Sequence, residues 1–169
     1  MLKKYLEAGK IVSTFGIHGE VNILSYCSSP DVICGLKFLY LHSGDRLTIE
    51  HSFVRKNNAV AKFEGIDTVE AAQKYRDKML YLDRDDIALP ENGYFYQDLL
   101  GINVIDFDTG IKYGEIADIT FTGAHDVYHV KSPSGGVNMI PAVSEFIIET
   151  DIEKKIMKIK TIEGLISEV

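Results

Sequence analysis

Apolar and polar residues alternate in short runs along most of the first half of the chain, the period-two pattern of strands buried on one face. Two such runs, residues 8–14 and 20–26, flank Gly16-Ile17-His18-Gly19, and in the second of them Val21 and Ile23 sit between more polar neighbours. This predicts two strands joined by a tight glycine turn. Runs rich in β-branched and aromatic residues at 36–41, 47–56 and 59–63 predict three more strands, the last two turning at Asn57-Asn58 because Asn tolerates positive φ. One segment follows the helical period instead. In residues 67–76, Asp67 opens the run and Glu70 follows three positions later, as in a capping box, while Val69, Ala72, Tyr75 and Met79 recur three to four apart. A single helix is predicted there, with those residues against the sheet, plugging an open end of a barrel before residues 79–82 return as a strand.

Between residues 83 and 93 the apolar periodicity stops, and Asp83-Arg84-Asp85-Asp86, Pro90 and Asn92-Gly93 follow one another closely. Strand patterns resume at 102–106, turn at Asp108-Thr109-Gly110, and continue at 113–121, 127–131, 137–140 and 155–159. The reading is a mainly β chain of two small β domains, each closing as a barrel or sandwich: residues 1–85, a linker at 86–93, and residues 94–169. No internal repeat is found.

Composition narrows the class. The 169 residues are 46% hydrophobic and include only 4 Pro, which suits a folded chain rather than a disordered or low-complexity one. No stretch approaches the roughly 20 apolar residues of a membrane span, and Glu7 interrupts the start, so neither export nor anchoring is expected. Cys27 and Cys34 are too few for a disulfide framework or a four-thiolate zinc site, and a reducing cytoplasm is the expected home. The net charge of -7 is unevenly placed. Residues 1–90 carry 8 Lys and 4 Arg against 7 Asp and 5 Glu, a balance of zero, whereas residues 91–169 carry 6 Lys against 6 Asp and 7 Glu. All the negative excess therefore lies in the second half, a poor match for phosphates and a good one for a basic protein.

Three features are candidates for chemistry. Gly16-Ile17-His18-Gly19 lacks the Lys-Ser/Thr of a phosphate-binding loop and precedes a strand pattern, so no helix N-terminus is supplied for an anion; its Gly-x-x-Gly spacing matches KH domains, but there it joins helices. His125 and His129 straddle Asp126 at a spacing that would point both imidazoles the same way on a strand, yet a metal site would want a further ligand. No Ser or Cys stands in a nucleophile-elbow pattern, and Asp85 and Asp86 lie in the linker, where nothing desolvates them. No enzyme activity, cofactor or metal is expected. The third feature is Tyr94-Phe95-Tyr96-Gln97-Asp98. On a strand only alternate rings of three consecutive aromatics face one side, so the run is either a recognition patch or packing between the domains.

Taken together, several stretches resemble a known family. Gly9-Lys10-Ile11-Val12 with Gly16-Ile17-His18-Gly19-Glu20-Val21, Phe63-Glu64-Gly65-Ile66-Asp67 with Glu70-Ala71-Ala72, the stretch from Tyr94 to Gly101, Gly114-Glu115-Ile116, Thr122-Gly123-Ala124-His125-Asp126-Val127, Ile140-Pro141 and Glu163-Gly164-Leu165 resemble, in order, the bacterial RimM family. The resemblance implies an N-terminal six-stranded barrel of the translation-factor kind and a C-terminal PRC-type barrel. It also implies a non-enzymatic assembly chaperone of the small ribosomal subunit, which binds the nineteenth small-subunit ribosomal protein in the head and assists processing of the 16S rRNA. The family's paired tyrosines fall on Tyr94 and Phe95, so the second hydroxyl is missing here, and His125 stands where the family usually has Asn in a turn. Tyr94, Phe95, Tyr96 and Asp98 are the candidate partner-binding residues. The acidic second half suits such a partner.

Two other classes stay open. A direct RNA-binding module would gather Lys3, Lys4, Lys10, Arg46, Arg55 and Lys56 on the first barrel, and a metal-dependent hydrolase would use His125, Asp126 and His129.

Overall fold

A computed structural model describes residues 1–89, 93–120, 122, 124–162 and 164–166. The chain divides into two compact units, one of Lys3–Asn92 and one of Gly93–Val169 with Met1–Leu2. Residues 90–92 of the expected linker lie outside the described residues. Among the described residues, no helix is long and apolar enough to cross a membrane.

The first unit is a closed antiparallel barrel. Its strands are β1 (Tyr5–Phe15), β2 (Glu20–Ser25), β3 (Phe38–Leu41), β4 (Arg46–Arg55), β5 (Asn58–Phe63) and β6 (Met79–Asp83), ordered β1-β2-β5-β4-β3-β6 with β6 pairing back onto β1. Closure depends on β1, which is long enough to pair with both neighbours. Its register shifts between Glu7 and Gly9 against β6, and between Ile11 and Ser13 against β2. Such bulges bend a strand and increase its twist, which lets six strands close on themselves. The inward positions Ile11, Ile23, Leu39, Phe63 and Leu80 are fully excluded from solvent, each contributing roughly 1.5–3 kcal/mol by burial.

The glycine run is a turn between β1 and β2, as its spacing suggests. Other local details differ from the sequence reading. The β4–β5 turn is Lys56-Asn57, one residue earlier than expected, with Lys56 in the left-handed region at φ 55. Among its described residues the unit holds two α-helices rather than one. Helix α1 (Pro30–Cys34), capped by the Ser29 hydroxyl and carrying the fully buried Ile33, is too short to show a helical period. Helix α2 (Val69–Gln73) is shorter than expected: Thr68 rather than Asp67 is its cap, accepting from the Ala71 N–H at 3.1 Å, and residues 74–77 continue as turns. Helix α2 buries Ala72, while Tyr75 lies past its end, half-buried under the Lys78 ammonium at 5.1 Å. Asp83, Asp85 and Asp86 are ordered at the barrel's rim: the Asp83 carboxylate accepts from the Asp85 N–H at 3.1 Å and meets the Lys4 ammonium at 3.4 Å.

The second unit is a six-stranded sheet in the order β10-β9-β8-β7-β12-β11: β7 (Asn103–Asp106), β8 (Lys112–Thr120), β9 (Val127–Lys131), β10 (Val137–Pro141), β11 (Ile147–Asp151) and β12 (Ile156–Ile159). The β12–β7 pair is parallel and the others are antiparallel. Alternation in β9 and β10, and in β8 a register shift between Ile116 and Asp118, send Ile116, Ile119, Tyr128, Val130 and Ile140 into one core with Val104, Met157 and Ile159. Strand β11 escaped the sequence reading because it lies at the sheet edge and its burial does not alternate. Strand β12 starts at Ile156 rather than Lys155, since Lys155 turns the chain at φ 54.

The β7–β8 turn is tied by Asp106, whose carboxylate accepts from the Tyr113 hydroxyl at 2.7 Å, the Thr109 N–H at 2.7 Å and hydroxyl at 2.8 Å, and the Asp108 N–H at 3.0 Å. Those donors, Tyr113 first, lower its pKa from 3.8 to about 2. A depressed carboxylate pKa stabilises the fold above the ordinary value, and the gain is lost as pH falls through the native one. Thermal melts of the parent should therefore lose ground to those of Asp106→Asn between about pH 4 and pH 2. Parallel acid curves would show that the turn does not hold the charge.

Candidate functional site

The aromatic run does not form a strand. Gly93, Tyr94 and Phe95 are irregular, and helix α3 (Tyr96–Leu99) follows with Phe95 at its N-cap and Asp98 in its first turn. Its geometry replaces the alternating rings expected of a strand. Tyr96 and Leu99 are three apart and fall on one face of a helical turn, so both can reach the same core. Leu99 is buried in the second unit's core, with Tyr94 and Tyr96 packed against it. Gly101 then turns at φ 77 and donates its N–H to the Ile116 carbonyl at 2.8 Å, fixing the segment to β8.

The Tyr96 hydroxyl donates to Asp118 Oδ1 at 2.6 Å, an oxygen that also accepts from the Ile119 N–H at 2.9 Å. Burial and then Asp118 raise the Tyr96 pKa, while the Tyr96 hydrogen bond is the main cause that lowers that of Asp118. Tyr94 is close enough to Tyr128 to act on it electrostatically, and burial, with Asp126 and Tyr94 behind it, pushes the Tyr128 pKa up to about 12. Two of the four candidate residues thus spend most of their apolar surface inside their own unit. Phe95 and Asp98 are half-buried, as the two tyrosines are, and close one turn together, the Asp98 N–H donating to the Phe95 carbonyl at 3.0 Å. Sequence spacing marked the aromatic run but read it on a strand, because a helix only four residues long shows no period of its own.

The other candidates separate. His125 is exposed, its backbone is not in the left-handed region, and the Thr122 hydroxyl bonds both its carbonyl and its N–H. His129 lies on β9 with Nε2 at 2.7 Å from the Thr120 hydroxyl. Among the described residues, no group of three or more His, Cys, Asp or Glu could hold a metal ion.

Against known proteins, the family model for the RimM N-terminal domain matches residues 6–87, and that for the RimM PRC barrel domain matches residues 96–165. The ribosome maturation factor RimM of Caldicellulosiruptor bescii is 38% identical over 167 residues, covering 96% of this chain and 98% of that protein. The ribosome maturation factor RimM of Clostridium botulinum strain Hall is 37% identical over 163 residues, covering 96% and 97%. A crystal structure of a RimM protein from Pseudomonas aeruginosa aligns at a TM-score of 0.46 and 25% identity, over 93% of this chain and 97% of that one. Two domain models matched in order and relatives alike along nearly their whole length establish that the chain belongs to the RimM family.

Proposed function

We propose that this protein is a ribosome maturation factor that acts by binding: it docks on the nineteenth small-subunit ribosomal protein in the head and assists assembly of that subunit and processing of its 16S rRNA in the bacterial cytoplasm. The observation that carries this reading is the near-full-length similarity to proteins named ribosome maturation factor. The docking surface is the α3 segment, where Tyr94 and Tyr96 are seated on the core and Phe95 and Asp98 are presented beside them. Its setting in the acidic half of the sequence would speed encounter with a basic partner, while a desolvated ring slows dissociation.

Calorimetry of the full chain against the purified ribosomal protein tests the reading. The expected result is a saturable complex that weakens with added salt mainly through slower association. Heat no larger than that of dilution would remove this partner.

A further inference from the structure

The six basic residues that the sequence offers to RNA fall into two sets on the first barrel. Lys3, Lys4 and Arg46 accompany a ring cluster: Tyr5 and Tyr40 lie 5.1 Å apart, Tyr40 faces Tyr81 across β3 and β6, and Arg46 lies 4.4 Å over Phe38. That side is also acidic. Glu7 faces Tyr81, Lys4 is already paired with Asp83, and after burial it is Asp86 and Asp83 that push the Tyr40 pKa up. The carboxylates beside these cations leave no excess of positive charge there for a phosphate.

Lys10, Arg55 and Lys56 belong to a different face. The paired positions Val21 with Ala61 and Ile23 with Ala59 are fully buried inside the barrel, so Asn22, paired with Val60, points outward from the same strands. Val60 nevertheless has no exposed surface. Phe53, its partner on β4, meets Phe15 edge-on at 5.8 Å, and the Arg55 guanidinium lies 5.0 Å over the Phe15 ring. Phe53 keeps 41% of its surface exposed. Asn58, opposite Arg55, donates to the Asn22 amide at 3.1 Å, and Lys56 is exposed in the adjoining turn.

The acids here are engaged. Glu20 meets His51 at 3.7 Å, Asp77 meets Lys10 at 3.4 Å, and Glu50 and Asp67 meet Lys62 at 3.4 Å and 2.8 Å. Among the described residues, no carboxylate forms an ion pair with Arg55 or Lys56. An exposed ring and two cations outside any ion pair, one of them the Arg55 guanidinium stacked on the neighbouring Phe15, together match the needs of a single nucleic-acid strand, a face for a base and charge for its phosphates.

We propose that the outer face formed by Phe15, Phe53, Arg55 and Lys56 binds single-stranded RNA, with a base stacked on Phe53 and phosphates on Arg55 and Lys56. The face lies on the unit that the protein contact proposed above does not use, so either proposal can fail without the other.

Fluorescence anisotropy of a labelled single-stranded oligouridylate with the full chain tests it. Phe53→Ala should weaken binding about tenfold, the scale of one base stack, and Phe53→Tyr should restore it. Arg55→Ala combined with Lys56→Ala changes exposed side chains and should flatten the salt dependence by roughly 0.7 in log–log slope for each phosphate no longer neutralised. Tyr5→Ala should bind as the parent does. Absence of binding by the parent, unchanged affinity and salt slope in the Arg55/Lys56 variant, an equal loss in Tyr5→Ala, or equal competition by duplex RNA would each overturn the proposal.

Discussion

Replacing Gly19 with Ala should lower the stability of the first unit by about 3 kcal/mol, read from the shift of its urea transition. Gly19 ends the turn between β1 and β2 at φ +87, where an L side chain is already strained by roughly 1–2 kcal/mol. A Cβ there would also lie 2.1 Å from the Ile66 carbonyl oxygen and 2.8 Å from its carbon. The obstacle is backbone. Ile66 is itself buried, and its N–H is bonded to the Phe63 carbonyl at 3.2 Å, so moving it disturbs the end of β5. Gly44→Ala provides the comparison, because Gly44 has φ +92 and nothing within 4 Å of the position of a Cβ. That variant should cost only the strain, about 1 kcal/mol, and the difference between the two isolates the clash. Equal losses would mean that the segment at Ile66 yields freely and that the turn is not locked against it.

Phe95→Ala should weaken the complex with the nineteenth ribosomal protein by about 2 kcal/mol, roughly thirtyfold in Kd, with faster dissociation carrying most of the change. The value is that of an interface hot spot, and it is expected of Phe95 rather than of its neighbours because Tyr94 and Tyr96 already pack against the core of the second unit. Two controls separate binding from folding. Tyr96→Phe removes the hydrogen bond to Asp118 and should appear in the thermal unfolding of the second unit, at up to about 1 kcal/mol, with binding almost intact. Phe95→Tyr supplies the hydroxyl that family resemblance places here and should bind at least as tightly as the parent. Undiminished affinity of a folded Phe95→Ala variant would move the interface away from α3.

The chain's own pattern already determined which residues face each core. Val21 and Ile23 alternate, as do Ala59, Ala61 and Phe63, and the same rule places Tyr128 and Val130, whereas Ile116 and Ile119, three residues apart, share a core only because β8 shifts register between Ile116 and Asp118. The glycine turn was legible because few residues other than Gly tolerate its backbone, and the acidic second half because charge is additive along a sequence. What only the tertiary structure decided follows from pairings distant in sequence. Closure of the first sheet requires β6 to return to β1, and the parallel β12–β7 pair joins segments some fifty residues apart; no local period encodes either. Short elements were missed for the same reason: α1 and α3 span 5 and 4 residues, less than the length over which a period can be counted, and each exists because one side chain, Ile33 or Leu99, has a core to enter. Likewise, six basic residues counted along the chain became two sets, because strand order, rather than sequence proximity, determined which carboxylates stand beside them.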